Sequence, residues 1–214
     1  MGSPQIRQAG TLGGNLGTCS PAGDGLPVLA ALDATIIVAS ADGSRSIPFV
    51  EFMKGPKKND LHKDELIVAV DVPLGDAWQG YSKVGVRNAM VISVASACFA
   101  VARDESSATI ALGAVGPTII RCTNTEAWLR EQGGNVKKSL ASAALQKELG
   151  TRAAQEAKPI TDHRSTADYR RHAKAKAWCQ HQTRRAFKRN RNTHRLKKRQ
   201  TQGAVARELR DLAA

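Results

Sequence analysis

The sequence predicts an α+β fold that ends in a basic tail. Strand-like runs follow one another across turn residues through the first half of the chain, and helical patterns collect after residue 120. That order favours α+β over a parallel βαβ sheet. The tail is marked by charge. Residues 1–169 hold 17 Lys+Arg against 17 Asp+Glu, whereas residues 170–214 hold 15 Lys+Arg against 2 acids, Glu208 and Asp211. Between Arg170 and Gln202, Leu196 is the only Val, Ile or Leu. Such a segment lacks the apolar surface to offset its ordering entropy and repels itself, so a neutral globular body and a disordered or irregular tail are expected.

Taken in order, residues 10–18 (GTLGGNLGT) form a glycine-rich stretch in which Gly13, Gly14 and Asn15 tolerate positive φ. Leu26, Leu29 and Leu32 recur at helical spacing, with Asp24 placed to cap them. Residues 35–39 (TIIVA) read as a strand running to an Asp42-Gly43 hairpin turn, with 46–49 as the return. Residues 65–73 (ELIVAVDVP) give another strand, stopped by Pro73. Residues 80–87 (GYSKVGVR) alternate, which puts Tyr81, Lys83, Gly85 and Arg87 on one face, and 91–102 and 109–114 read as further strands. Helices are expected over 123–131 and 137–157. Ser165-Thr166-Ala167-Asp168 fits a capping-box variant opening a last helix. The polar break at 74–79 (LGDAWQ) suggests lobes at 1–75 and 76–172, followed by the tail at 173–214.

Composition excludes several classes. The chain has 214 residues, 42% hydrophobic and 24% charged, which is ordinary for a globular protein. Its longest near-apolar run, 91–102, is far shorter than the roughly 20 residues a bilayer span needs. The N-terminus shows no basic-then-apolar secretory pattern, and Ile6 occupies the position where myristoylation requires Ser or Thr. Cys19, Cys98, Cys122 and Cys179 are widely spaced without a CxxC pair, which argues against a metal or iron–sulfur site built by this chain. Reduced thiols in the cytoplasm are expected.

The chemistry-bearing stretch is Thr11-Leu12-Gly13-Gly14-Asn15-Leu16-Gly17-Thr18, followed by Ser20-Pro21 and Asp24. Two readings of it stand. Glycine amides without a Cβ can approach a diphosphate, with Thr11 and Thr18 hydroxyls and the Asn15 amide adding donors, and Asp24, an acceptor only, suited to a sugar or ribityl hydroxyl. The other reading is a glycine-rich hairpin loop followed by a helix cap. The spacing matches neither a Rossmann fingerprint nor a P-loop.

Residues 2–27 (GSPQIRQAGTLGGNLGTCSPAGDGLP) closely resemble the second flavin-binding motif of the molybdenum hydroxylase FAD subunits, the medium chain of carbon monoxide dehydrogenase and the flavin domain of xanthine dehydrogenase. The resemblance continues collinearly through Asp42-Gly43-Ser44-Arg45, Asp64-Glu65-Leu66-Ile67, Tyr81-Ser82-Lys83-Val84-Gly85 with Arg87, Gly113-Ala114-Val115-Gly116-Pro117, and residues 159–171. It implies the second lobe of a PCMH-type FAD-binding domain, then a C-terminal α+β lobe with a small antiparallel sheet and helices. It further implies FAD contacts at Thr11, Gly13, Gly14, Asn15, Thr18 and Asp24, an apolar flavin neighbour at Ile67, and a flavin-site cation at Lys83. The cofactor would be FAD. The partners would be a molybdopterin-binding large subunit and a 2Fe–2S small subunit, with electrons passing from iron–sulfur clusters through FAD to an external acceptor. The family carries an earlier lobe with its own glycine-rich loop, so the sequence reads as N-terminally incomplete, with weak or absent FAD binding expected alone. The basic tail departs from the family's apolar helix, as a reading-frame change or a divergent end would.

Other constellations carry less. Asp162, His163 and Ser165 include triad residue types but lie on one turn, where a base cannot sit between nucleophile and carboxylate. The alternative function is non-specific nucleic-acid binding through the tail's Arg and Lys.

Overall fold

The computed structural model describes residues 2–73, 78–87, 90–132, 136 and 142–172. The predicted basic tail at 173–214 and most of the predicted break at 74–79 lie outside these residues, as does the first part of the predicted 137–157 helix.

Helix α1 (Pro4–Ala9) starts at Ser3, whose hydroxyl accepts from the Ile6 amide. Helix α2 (Leu12–Thr18) replaces the glycine loop expected from sequence. Glycine disfavours helix by about 1 kcal/mol per residue. Here two local features outweigh that. Thr11 caps the first turn, its Oγ1 accepting from Gly14 N at 2.9 Å and its carbonyl from Asn15 N at 3.1 Å, and Leu16 is fully buried. Gly13 and Gly14 therefore sit in right-handed helix; among the described glycines only Gly43, at +145°, has a positive φ. The helix stops at Cys19, left-handed at φ 48°, whose amide donates to Asn15 O and Leu16 O. Helix α3 (Leu26–Ala31) opens at Gly25 without a side-chain cap, so Asp24 is not the cap its spacing suggested.

Strand β1 (Thr35–Ser40) is central in a three-stranded antiparallel sheet, between β2 (Gly43–Pro48) and β5 (Leu66–Asp71). The β1–β2 hairpin turns at Ala41-Asp42, with Gly43 already paired to Ser40. Between β2 and β5 lie α4 (Phe49–Phe52) and a small ribbon of β3 (Met53–Gly55) and β4 (Lys58–Asn59). These pieces, with α1, escaped sequence reading because each is too short to show a period.

A second antiparallel sheet runs β6 (Trp78–Val84), β7 (Ala95–Val101), β8 (Ala108–Gly113), β9 (Ile120–Arg121). After it come α5 (Thr123–Glu131), α6 (Ala143–Glu156) and α7 (Ala167–His172). Every residue of β7 is buried. The two-residue period explains this: Ala95, Ala97, Phe99 and Val101 face a core with Leu129 of α5 and Leu149 and Ala153 of α6, while Cys98 joins the core holding α3, β1 and Phe52. Burial pushes the Cys98 thiol up to about 12, so it stays protonated. The last helix is capped by Thr166, whose Oγ1 accepts from Tyr169 N at 3.2 Å, one residue later than the predicted Ser165 box; Asp168 instead pairs with Arg171.

Two arginines tie loops to these sheets. Arg121 donates to Ala30 O at 2.9 Å and to Glu126 Oε1 at 2.5 Å, and so anchors the end of α3 on the second sheet. Arg45 grips Glu65 with two parallel bonds of 2.6 and 2.8 Å and also donates to Asp60 O, which fixes the loop that delivers β5. The Arg45 guanidinium and the His62 amide hold the Glu65 carboxyl down at about 2, against an ordinary value of 4.5. A depressed carboxylate contributes stability above its unfolded value and loses it as pH falls toward the folded one. Wild-type Tm is therefore expected to drop from pH 4.5 toward pH 2 more steeply than that of Glu65→Gln. Parallel Tm–pH curves for the two proteins would contradict this.

Candidate functional site

The loop from Ser20 to Gly25 joins α2 to α3 and is pinned from both sides. Ala114, just past β8, donates its amide to Pro21 O at 2.7 Å. Gly113 leaves no space for a side chain: a Cβ there would come within 2.5 Å of Ser96 Oγ and 2.7 Å of Pro27 Cγ. The close approach of α3 to β8 thus requires glycine at 113.

This loop carries Asp24 to β6. Lys83 Nζ donates to Asp24 Oδ2 at 2.6 Å and to Val91 O at 2.8 Å, while Tyr81 Oη and Ser93 Oγ donate to Asp24 Oδ1 at 2.9 and 2.7 Å. Both charged side chains are mostly covered, with 20% of Asp24 and 16% of Lys83 exposed. Burial alone would raise the Asp24 carboxyl, but the donors Lys83, Ser93 and Tyr81 together outweigh it and hold the group below the ordinary carboxylate range. The same burial, with the Asp24 charge alongside, pushes the Tyr81 phenol far up, so it remains a donor at every working pH. An ammonium has three donors and a carboxylate about four lone-pair positions. Among the described residues this pair uses two of the former and three of the latter. One cationic N–H and one carboxylate lone pair remain, a set that matches a polyol hydroxyl.

The sequence-predicted residues fall into connected places. Thr11 spends its oxygen on capping α2 and keeps its hydrogen to donate. Thr18 donates its hydroxyl back to Gly14 O at 2.7 Å, so only its oxygen lone pairs are left, a correction to its expected donor role. A Cβ added at Gly13 or Gly17 meets nothing within 4 Å, which leaves that side of α2 open to an approaching group. Leu12 and Gly13 hold first-turn amides, which a helix cannot satisfy internally. Asn15 is wedged against the Asp24 loop: Cβ atoms at Gly23 or Gly25 would lie 2.7 Å from its Nδ2 or 2.9 Å from its Oδ1. Ile67, half-buried on β5 and paired with Val38, packs on the core that contains Leu16 of α2. The structure thus brings Asn15 to the Asp24 loop and Asp24 to Lys83, and sets Ile67 on the other sheet beside α2. Sequence reading missed Tyr81 and Ser93 as parts of the site. Tyr81 had a signal, since it stands two residues before Lys83 on one strand face; Ser93, 69 positions from Asp24, had none.

Residues 1–75 match the model described as FAD binding domain in molybdopterin dehydrogenase, and residues 81–180 match CO dehydrogenase flavoprotein C-terminal domain. The chain is 33% identical over 174 residues to the glyceraldehyde dehydrogenase medium chain of Sulfolobus acidocaldarius, covering 80% of this chain and 59% of that one. It is 38% identical over 111 residues to the nicotinate dehydrogenase FAD-subunit of Eubacterium barkeri, covering 50% and 38%. The chain therefore spans less than two thirds of either relative. Among solved structures, quinoline 2-oxidoreductase from Pseudomonas putida 86 superposes with a TM-score of 0.76 at 25% identity, covering 87% of this chain and 63% of that one. Carbon monoxide dehydrogenase from Hydrogenophaga pseudoflava shares the fold, with a TM-score of 0.75 at 23% identity over 88% and 64%. The matched domains and the FAD-subunit relative define an FAD-binding flavoprotein. More particularly, the chain belongs to the FAD-subunit family of the molybdenum hydroxylases, a family of oxidoreductase subunits. Among the described residues no helix is long and apolar enough to cross a membrane.

Proposed function

We propose that this chain is the FAD-binding electron-transfer component of a molybdenum-containing dehydrogenase. It works with a molybdopterin-binding large subunit and a 2Fe–2S small subunit, and passes electrons from iron–sulfur clusters to an external acceptor. Bound FAD supplies the electron-transfer chemistry. In this reading the chain divides at residue 75 into the second flavin-binding lobe and a C-terminal lobe. A cytoplasmic setting belongs to it too, in keeping with Cys19, Cys98 and Cys122, which are buried and outside any disulfide among the described residues.

The observation that carries the proposal is the Asp24–Lys83 pair, joined across 59 residues and left, among the described residues, with one donor and one acceptor unspent. Asp24, with Asn15 behind its loop, orients a ribityl hydroxyl. Lys83 holds a fixed positive charge where negative charge gathers on reduction. Thr11 and the first-turn amides of Leu12 and Gly13 face the phosphates, with Gly14 capped beneath them, while Thr18, whose hydroxyl hydrogen goes to Gly14 O, is left to accept from a cofactor hydroxyl and not to bind a phosphate. Ile67 supplies an apolar wall for the ring system.

The test is titration of the full chain with FAD, followed by flavin fluorescence and calorimetry, with ATP as comparison ligand. FAD binding that is weak but saturable, and at least tenfold tighter than that of ATP, is expected, since a hydrogen bond to a charged group adds about 1.5 kcal/mol or more. Equal affinity for the two nucleotides would refute the assignment.

A further inference from the structure

The segment before β7 holds both members of the charged pair. Val91 gives its carbonyl to Lys83 Nζ at 2.8 Å, and Ser93 gives its hydroxyl hydrogen to Asp24 Oδ1 at 2.7 Å. Between them and the strand, Val94 N donates to Val84 O at 2.9 Å, which fixes the segment's register against the end of β6. Ser93 is 1% exposed, so its hydroxyl is not available to solvent. The Tyr81 phenol meets the same carboxylate oxygen from β6, at 2.9 Å.

These contacts have a geometric consequence. A carboxylate on a short side chain can rotate, and a single ammonium partner would not choose which oxygen faces it. Two hydroxyl donors on Oδ1 do choose. They occupy one oxygen from the protein side and turn Oδ2 toward Lys83. Lys83 in turn is a flexible point charge on a four-carbon stem, located only by what it bonds. Its two anchors, Asp24 Oδ2 and Val91 O, both depend on the Val91–Ser93 segment.

We propose that Ser93, together with Tyr81, is a positioning residue of the flavin site: the two hydroxyls orient Asp24 and, through it, the Lys83 ammonium. This rests on the flavin reading for its use but not for its geometry. Removing either donor strips the carboxylate of a bond that favours its charged form, and the group titrates closer to the ordinary carboxylate range. Among the described residues, the ionisable groups facing Asp24 are Lys83 and Tyr81, so no other charge masks the change.

The experiment is a carbon-13 NMR titration of Asp24 in the full chain without FAD, for wild type, Ser93→Ala and Tyr81→Phe, alongside FAD affinity at neutral pH. Asp60, bound by Arg45 and Lys54 elsewhere in the fold, serves as internal reference. The Asp24 midpoint is expected to rise in both variants while Asp60 stays still, and FAD affinity to fall roughly tenfold, the size of one charge-assisted hydrogen bond. An unmoved Asp24 midpoint overturns the inference, and so does a joint shift of Asp24 and Asp60, which would signal general loosening. Unchanged FAD affinity in a chain that binds FAD would also overturn it. Should Asp24 shift as expected while no protein, wild type included, binds FAD, the flavin assignment falls and the positioning stands.

Discussion

Arg170→Ala is expected to lower stability by about 3 kcal/mol, or roughly 10 °C in Tm, and to weaken the proposed flavin site from a distant part of the sequence. Arg170 is 5% exposed. Its Nη1 donates to Ala114 O at 2.8 Å and its Nη2 to Asp162 Oδ1 at 2.5 Å, while Nε has no hydrogen-bond partner among the described residues. Ala114 is an alanine at φ 61°, a left-handed conformation that costs about 1–2 kcal/mol for a residue with a Cβ. It persists because both of its polar groups are engaged, the amide by Pro21 O and the carbonyl by Arg170. Truncating Arg170 leaves Ala114 O and the Asp162 carboxylate without this donor, and the Pro21 contact loses its support. Pro21 lies three residues before Asp24 on the same loop. Arg170→Lys keeps the charge but loses the planar fork, so it should fall between wild type and Arg170→Ala. Urea unfolding of the three proteins checks the order. A lysine variant as stable as wild type would show that charge, and not the bidentate geometry, is what the site needs.

This hub shows what was legible in the sequence and what was not. The motif at 159–171 could be noticed, and Ser165-Thr166-Ala167-Asp168 announced a helix start, but nothing local tells that Arg170 reaches back 56 residues to Ala114. Where local chemistry decides, the sequence spoke clearly. The β-branched TIIVA run folded as β1, the helix at 123–131 formed as read, and alternation put Tyr81 beside Lys83 on β6. The α+β class followed from turn-linked strands, although α1 to α4 lie early in the chain and not after residue 120 as expected; the small antiparallel sheet was implied by the motif resemblance. The glycine stretch misled, because its propensity argued for a loop while a Thr11 cap and the burial of Leu16, a tertiary contact, made it α2. Asp24 misled for a similar reason. Its spacing from Leu26 fitted a cap, yet three donors from β6 and Ser93 offered a carboxylate more than a single amide would. Positions for FAD contacts came from the motif resemblance; the bonds that tie those positions together are long-range and had no sequence signature.

The second large effect concerns the charged pair itself and separates its structural from its ligand-binding role. Asp24→Leu leaves the Lys83 ammonium, 16% exposed, with Val91 O alone, and leaves the Tyr81 and Ser93 hydroxyls without their acceptor. A loss of about 2–3 kcal/mol is expected, below the full cost of a broken buried pair because both groups keep some solvent. Lys83→Met leaves Asp24 with its two hydroxyl donors and should cost about 1–2 kcal/mol. The double variant removes both charges together, so no unpaired ion remains, and its stability should lie well above the sum of the single losses, with a coupling of about 1–3 kcal/mol. FAD affinity should behave otherwise. Each single variant is expected to lose roughly 10–100-fold, and the double variant should recover none of it, because a methionine and a leucine offer the ribityl chain neither donor nor acceptor. Denaturant unfolding and FAD titration on the same four proteins give the two cycles side by side. A double variant that regains FAD binding along with stability would reduce the pair to a scaffold element and remove Asp24 and Lys83 from the flavin site.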